Sequence, residues 1–248
     1  MEEVIKEKVP QSKRHNRFKD APWYLEAKEA KENIVMVGGA GGIGSWLVML
    51  LVRAGFKVYV YDFDRLEEYN IAGQLYSVSD VGKLKVDALS RIVKELTGDD
   101  IYISPDRIDE NSPTNPIMFS AFDNMLARKT MFKKWADTYV SEKSPNKNPD
   151  AIFIDARLTA EQLWVFCIRA SDKASVNRYW KEHIFPDSEI PDAPCTMKQT
   201  SHAAAMVASI MTGFFTNHMT NIIEKNEDRE VPFCYEYFIP INLVTQTP

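Results

Sequence analysis

A chain of 248 residues with 45% hydrophobic side chains carries enough apolar content for a real core, and fits one large domain or a domain with appendages. Its 30 basic and 35 acidic residues leave a net charge of -5, which removes any bulk electrostatic reason to bind nucleic acid, and no nucleic-acid partner is expected. Three widely spaced cysteines, Cys167, Cys195 and Cys234, argue against a disulfide framework and against a four-cysteine zinc site.

Residues 1–30 read as a polar N-terminal arm. Its opening stretch MEEVIKEKVPQSKRHNRF is charged throughout and offers no apolar core for a secretory signal, so a cytoplasmic protein is expected. NIVMV is then a short apolar run ending in glycines, as a buried parallel strand should be. A helix is expected from about Gly44 to Gly55, followed by a second strand in KVYVYDFD with Asp62 at its carboxyl end. VGKLKVDALSRIVKELTG places Val86, Leu89, Ile92, Val93 and Leu96 on one helical face and stops at Gly98. IYIS and IMFSAFD follow as third and fourth strands, and NMLARKTMFKKWADTYV as a helix beginning directly after Asp123. Beyond the polar loop SEKSPNKNPD, AIFIDARL and QLWVFCIR read as a hairpin. A helix around KASVNRYWKEHIF, a proline-rich loop, a helix from about Thr196 and a final strand in FCYEYFIPINLV complete the chain. The longest apolar run, Ala203 to Phe215, is too short to span a bilayer and reads as core helix, so no membrane partner is expected.

This alternation predicts an α/β fold: a Rossmann-like, doubly wound, mainly parallel sheet with helices on both faces and a C-terminal strand and helix extension. Residues 31–248 are expected to form one domain, with a nucleotide-binding part over about 31–140 and a substrate or partner part over about 150–248.

Gly39, Gly41 and Gly44 spell G-x-G-x-x-G, with Asp62 eighteen residues beyond the last glycine. Glycines let backbone approach phosphate, the helix N-terminus favours negative charge, and the acid can accept hydrogen bonds from ribose hydroxyls. Taken alone, this is the signal of an NAD- or FAD-dependent oxidoreductase, which stays open as an alternative. A Walker P-loop is excluded, because Ser45 follows Gly44 and no lysine is there to reach the terminal phosphates.

The next sixty residues add Asp62 and Asp64, Asn70 and Gln74, Lys85 after VGKL, and Asp123-Asn124 with Arg128 four residues beyond the asparagine. With Gly39, Gly41, Gly42 and Gly44 in front, this series resembles the ThiF/MoeB/HesA family, the adenylating relatives of ubiquitin-activating enzymes. Order and spacing agree over roughly Arg14 to Arg128. The resemblance implies ATP and Mg²⁺ as cofactors. It implies that Asp62 holds the ribose, that Asp64 belongs to the nucleotide-binding set, that Asn70 and Gln74 lie near the phosphates, that Lys85 faces the α-phosphate, and that Asp123 carries the metal. The implied activity is adenylation of the C-terminal carboxylate of a ubiquitin-like or sulfur-carrier protein or peptide. Such chemistry brings two anions together, so it needs positive charge around the phosphates, which Lys85 and a metal ion would supply. The plain alternatives are that Lys85 is a solvated helix lysine and that Asp123 caps the following helix.

The same resemblance implies a homodimer in which an arm arginine, here Arg17, reaches the partner's active site. A thiol is also implied: Cys195, near a helix start and followed by Lys198, could carry a thioester, with His202 close behind it. Cys167 and Cys234 lie in strand-like runs and read as core. Two departures stand out. Gly73 occupies the place of the family arginine before Gln74, which leaves three alternatives: adenylation is slowed, the duty passes to Lys83, Arg14 or Arg17, or the protein is a degenerate, non-catalytic interaction module. The paired C-x-x-C zinc site is absent, and no zinc is predicted. The segments IDARLTAEQLWVF and APCTMKQTSHAAAMVASIMTGFF, with REVPFCYEYFIPINL, are similar to the small ThiF-like proteins of mobile elements.

Overall fold

The computed structural model describes residues 13–24, 34–186 and 199–248. Among these, eight strands form one sheet: β1 (Ile34–Gly38), β2 (Lys57–Tyr61), β3 (Tyr102–Ser104), β4 (Ile117–Ser120), β5 (Ile152–Leu158), β6 (Gln162–Arg169), β7 (Cys234–Phe238) and β8 (Leu243–Thr247). Their spatial order is β3-β2-β1-β4-β5-β6-β7-β8. The first five run parallel, and β6, β7 and β8 continue the sheet as an antiparallel meander. The chain builds outward in one direction from β1 to β3 and in the other from β4 onward, so a crevice opens at the carboxyl ends of β1 and β4.

Alternate residues of each strand serve opposite faces. Val35 and Val37 of β1, Ile152, Ile154 and Ala156 of β5, and Leu163, Val165 and Cys167 of β6 enter one apolar cluster. It is closed by α1 (Gly42–Arg53), α2 (Lys85–Thr97) and α5 (Ser201–Glu224). Met36, Phe153, Phe166 and Ile168 enter the other, beneath α3 (Met125–Tyr139) and the short α4 (Lys173–Arg178), which runs into a π-turn at Tyr179–His183. Period-two strands between two helical layers are what the doubly wound pattern requires.

Element ends differ from the sequence reading in instructive places. α1 starts two residues early, at Gly42, because the first turn of a helix tolerates unpaired N–H groups and glycines there suit an approaching anion. α2 stops where expected: Gly98 takes φ +77° and donates to Lys94 O at 2.9 Å. The single strand expected in FCYEYFIPINLV is two, β7 and β8. Pro240 interrupts the ladder in a 3₁₀ turn and Asn242, at φ +50°, reverses the chain. The helix expected from about Thr196 is α5, capped by Thr200, whose Oγ1 accepts from Ala203 N–H; residues 196–198 lie outside the described residues. Ala203, Ala204, Val207, Ala208, Met211 and Phe215 of α5 are buried, as a core helix should be. No described helix is long and apolar enough to cross a membrane.

Candidate active site

The glycine turn sits at the carboxyl end of β1, beside the switch point. Gly39 takes φ +94°, a conformation that L side chains avoid, and donates to Tyr61 O at 2.8 Å. A Cβ at Gly44 would stand 1.8 Å from Gly39 O, so the third glycine is what lets α1 approach the turn. No described residue stands within 4 Å of a Cβ built at Gly41. Tyr76 OH donates to Ala40 O at 2.6 Å and ties the turn to the segment after Asn70.

Asp62 follows β2 directly and is buried; one oxygen accepts from Ala40 N–H at 2.7 Å and the other from Asp64 N–H at 2.8 Å. Burial pushes its carboxyl above the ordinary range, against the pull of Lys85 and of the two backbone donors. A carboxylate has about four acceptor positions, so ribose hydroxyls still find room on it. Lys85 opens α2, is 8% exposed, and its Nζ donates to Asp64 at 2.8 Å. It is therefore not a solvated helix lysine. Asn70 is buried and its Oδ1 accepts from Glu67 N–H at 2.9 Å, bracing its own turn. Gln74 leaves Oε1 buried without a partner among the described residues.

Asp123 lies just past β4. The cap of α3 is its neighbour: Asn124 Oδ1 accepts from Ala127 N–H at 2.8 Å. Asp123 is exposed, and its carboxylate accepts from Asn124 Nδ2 at 3.2 Å. Beneath it, buried Arg128 donates to Phe122 O, to Asp155 and, at 2.9 Å, to Ala156 O, which pins the segment bearing Asp123 to β5. Asp155 is fully buried and also accepts from Arg157 Nε at 3.1 Å. Burial alone would raise its carboxyl, but Arg128 and Arg157 together hold it below the usual range.

Gly39, Gly41, Gly42, Asp62, Asp64, Asn70, Gln74, Lys85 and Asp123 all line one cleft of about 2700 Å³. Gly44 stands behind it, buried under the turn. Other expected residues are elsewhere. Arg17 is exposed and outside the cleft. Its arm is anchored at the opposite end of the sheet, where Arg14 pairs with Asp99 at 3.0 Å, Tyr24 covers Gly55 and Trp23 stacks on Phe56. Lys83 pairs with Asp80 at 2.9 Å. None of Lys83, Arg14 and Arg17 thus reaches the cleft of its own chain to replace the arginine missing at Gly73. Cys195 and Lys198 lie outside the described residues. Cys167 is core, its thiol pushed up by burial, whereas Cys234 is half-buried and borders the cleft, its thiol pushed up to about 11. His202 is exposed and approaches Thr200 Oγ1 at 3.2 Å.

Sequence reasoning missed Gln199, Arg157, Trp164, Phe166 and His183, which extend the cleft over β5, β6 and the π-turn. Arg157 donates to His183 O at 2.6 Å and lies over the Phe166 ring. No local motif marks these residues; only the hairpin and the return of the chain through the π-turn bring them together.

Residues 17–136 match the ThiF family. The yeast Saccharomyces cerevisiae tRNA threonylcarbamoyladenosine dehydratase 2 is 42% identical over 64 residues, 25% of this chain and 14% of that protein. Ubiquitin-like modifier-activating enzyme 5 of Drosophila ananassae is 29% identical over 106 residues, 42% of this chain and 25% of that one. The matched stretches thus span a quarter or less of these two relatives. In fold, the chain is similar to Escherichia coli MccB solved with ATP, at 15% identity and a TM-score of 0.66, over 96% of this chain and 72% of that one. The glycine turn, Asp62, Lys85 and Asp123 all fall within residues 17–136, the stretch that matches the ThiF family.

Proposed function

We propose that this protein binds Mg·ATP and adenylates the C-terminal carboxylate of a ubiquitin-like or sulfur-carrier protein or peptide. The observation that carries the reading is the pairing of buried Lys85 with half-exposed Asp64, in the same cleft as exposed Asp123 and the glycine turn. In the reaction a carboxylate oxygen bonds to the α-phosphorus, the bond to the β-phosphate bridging oxygen breaks, and pyrophosphate leaves. Lys85 would turn from Asp64 to the α-phosphate and stabilise the charge gathered there. Asp62 would hold the ribose, and Asn70 and Gln74 would border the phosphates.

Asp123 fits a magnesium ion of the kind held by one or two carboxylates and completed by phosphates and water. No three His, Cys, Asp or Glu side chains cluster among the described residues, so a cage built from protein alone is not the fit here. Bound there, the ion would neutralise the leaving pyrophosphate.

The cleft exceeds the roughly 300–1,000 Å³ of an ordinary small-molecule pocket, which leaves room for the end of a polypeptide beside the nucleotide. The names of similar proteins agree with both halves of the reading: modifier-activating enzymes by sequence, and MccB in complex with N-formylated MccA by fold. In this reading residues 31–248 are one adenylation domain behind an arm of residues 1–30. Because Arg17 lies outside the cleft of its own chain, its role as a finger requires a homodimer. Capture of the acyl group on Cys195 as a thioester would follow adenylation.

The test is ATP–pyrophosphate exchange with carrier proteins or peptides encoded nearby, comparing wild type with Lys85→Ala and Asp123→Ala. Exchange that requires magnesium and both side chains is the expected result. ATP binding without exchange for every carrier would favour the interaction module, and tight dinucleotide binding with no response to ATP would favour the oxidoreductase.

A further inference from the structure

Gln199 comes from a distant part of the chain, one residue before the cap of α5, yet its side chain fills the space between the glycine turn and Gly73. A Cβ built at Gly42 would stand 2.0 Å from Gln199 Oε1, and one at Gly73 would stand 2.2 Å from Gln199 Nε2. Both glycines are thus the room that the glutamine amide occupies. Gly73 is itself held in place, its carbonyl accepting from Trp46 Nε1 of α1 at 3.4 Å and its N–H donating to Asn70 O at 3.2 Å. Thr200, which follows Gln199, donates to Ala160 O at 3.3 Å and fixes the entry to α5. The amide is therefore presented to the cleft from a braced position, next to Gly41 and the first turn of α1.

We infer that Gln199 is a phosphate-binding residue of this cleft, and that positions 73 and 199 share one space that only one side chain can fill. An amide supplies two N–H donors and no charge. It can therefore hold a phosphate oxygen beside the N-terminus of α1 without adding a cation near Lys85. Glycine at 73 is in this light a consequence of glutamine at 199, and no cation from Lys83, Arg14 or Arg17 is needed to fill the place. The inference rests on the adenylation reading for the identity of the phosphates.

Calorimetric titration with ATP and, separately, with adenosine tests it on wild type, Gln199→Ala, Gln199→Glu, Gly73→Ala and the Gly73→Ala/Gln199→Ala pair. Loss of a hydrogen bond to a charged group predicts about tenfold weaker ATP binding for Gln199→Ala. Gly73→Ala displaces the flexible end of the glutamine without removing it, and should weaken ATP to the same extent. The double variant should be no weaker than either single one, because both remove one interaction. Gln199→Glu keeps the size, opposes the phosphates, and should bind ATP more weakly than the alanine variant. Adenosine should bind all five proteins alike. Unchanged ATP affinity in the Gln199 variants, additive losses, or equal weakening of ATP and adenosine would overturn the inference while leaving adenylation intact. Absence of pyrophosphate exchange in a wild type that binds ATP would overturn the adenylation reading alone, and wild type that takes up no ATP would overturn both.

Discussion

The mouth and the floor of the cleft each hold a cation paired with a carboxylate, and the two pairs differ in what surrounds them. At the mouth, the side chains of Lys85 and Asp64 are 10% and 44% exposed. At the floor, those of Arg128 and Asp155 are 6% and 0% exposed, and Arg157 adds a second cation to the same carboxylate. Water can replace Lys85 at Asp64 at small cost, because the carboxylate is half-exposed; on the proposed reading this lets the lysine turn to a phosphate. Water cannot enter to replace Arg128 at Asp155, because both side chains are buried and separating buried charges costs several kcal/mol. In the proposed function, the difference separates a pair that exchanges partners from a pair that holds the backbone bearing Asp123.

The largest expected effect breaks the floor. Asp155→Ala leaves two arginines without their carboxylate and should cost about 3–5 kcal/mol of stability, read from urea or thermal unfolding. The same pair predicts a pH dependence. Asp155 is held below its ordinary value of 3.8, so its stabilisation is complete above that value and is lost as pH falls through the lower folded one. Wild type should therefore lose melting temperature as pH falls below about 4, and Asp155→Asn should lose less over the same range. A variant as steep as wild type would show that other carboxylates govern acid unfolding.

The mouth should behave in the opposite way. Lys85→Ala is expected to change stability by no more than about 1 kcal/mol, since its partner is half-exposed. Pyrophosphate exchange should nonetheless fall by at least roughly 100-fold, the usual cost of removing a preorganised donor at developing charge. A large loss of stability with a small loss of exchange would reverse the assignment of the two regions.

The smallest effect separates two neighbours at the rim. Asn124→Ala should cost about 1 kcal/mol through the lost cap of α3. Asp123→Ala should leave the melting temperature within a degree or two of wild type, because Asp123 is exposed and the cap oxygen of α3 belongs to Asn124. Equal losses in both variants would mean that the two side chains share the cap.

The glycine turn and Asp62 were legible because one contiguous βαβ unit contains them, and local chemistry dictates both the turn and the acid at the end of its second strand. Lys85 and Asp123 were legible only as members of a spaced series, since nothing local tells a buried lysine from a solvated one. Asp123 and Asn124 show the limit of such reading. Aspartate and asparagine cap equally well, and a shift of one residue reverses which is structural and which is available for chemistry. Gln199 and Arg157 left no signal, because each acts through a contact with a distant segment.

By itself, then, the sequence determined the order of elements, the parallel sheet and the glycine turn, all of which follow from hydrophobic period and from glycine. Tertiary structure alone decided which cations serve the cleft. Lys85 lies there because α2 starts beside Asp64, Lys83 is taken by Asp80, and Arg14 and Arg17 ride an arm anchored at the far end of the sheet. It also decided that the Gln199 side chain fills the space beside Gly73, because which side chain occupies a space depends on the segments that meet there.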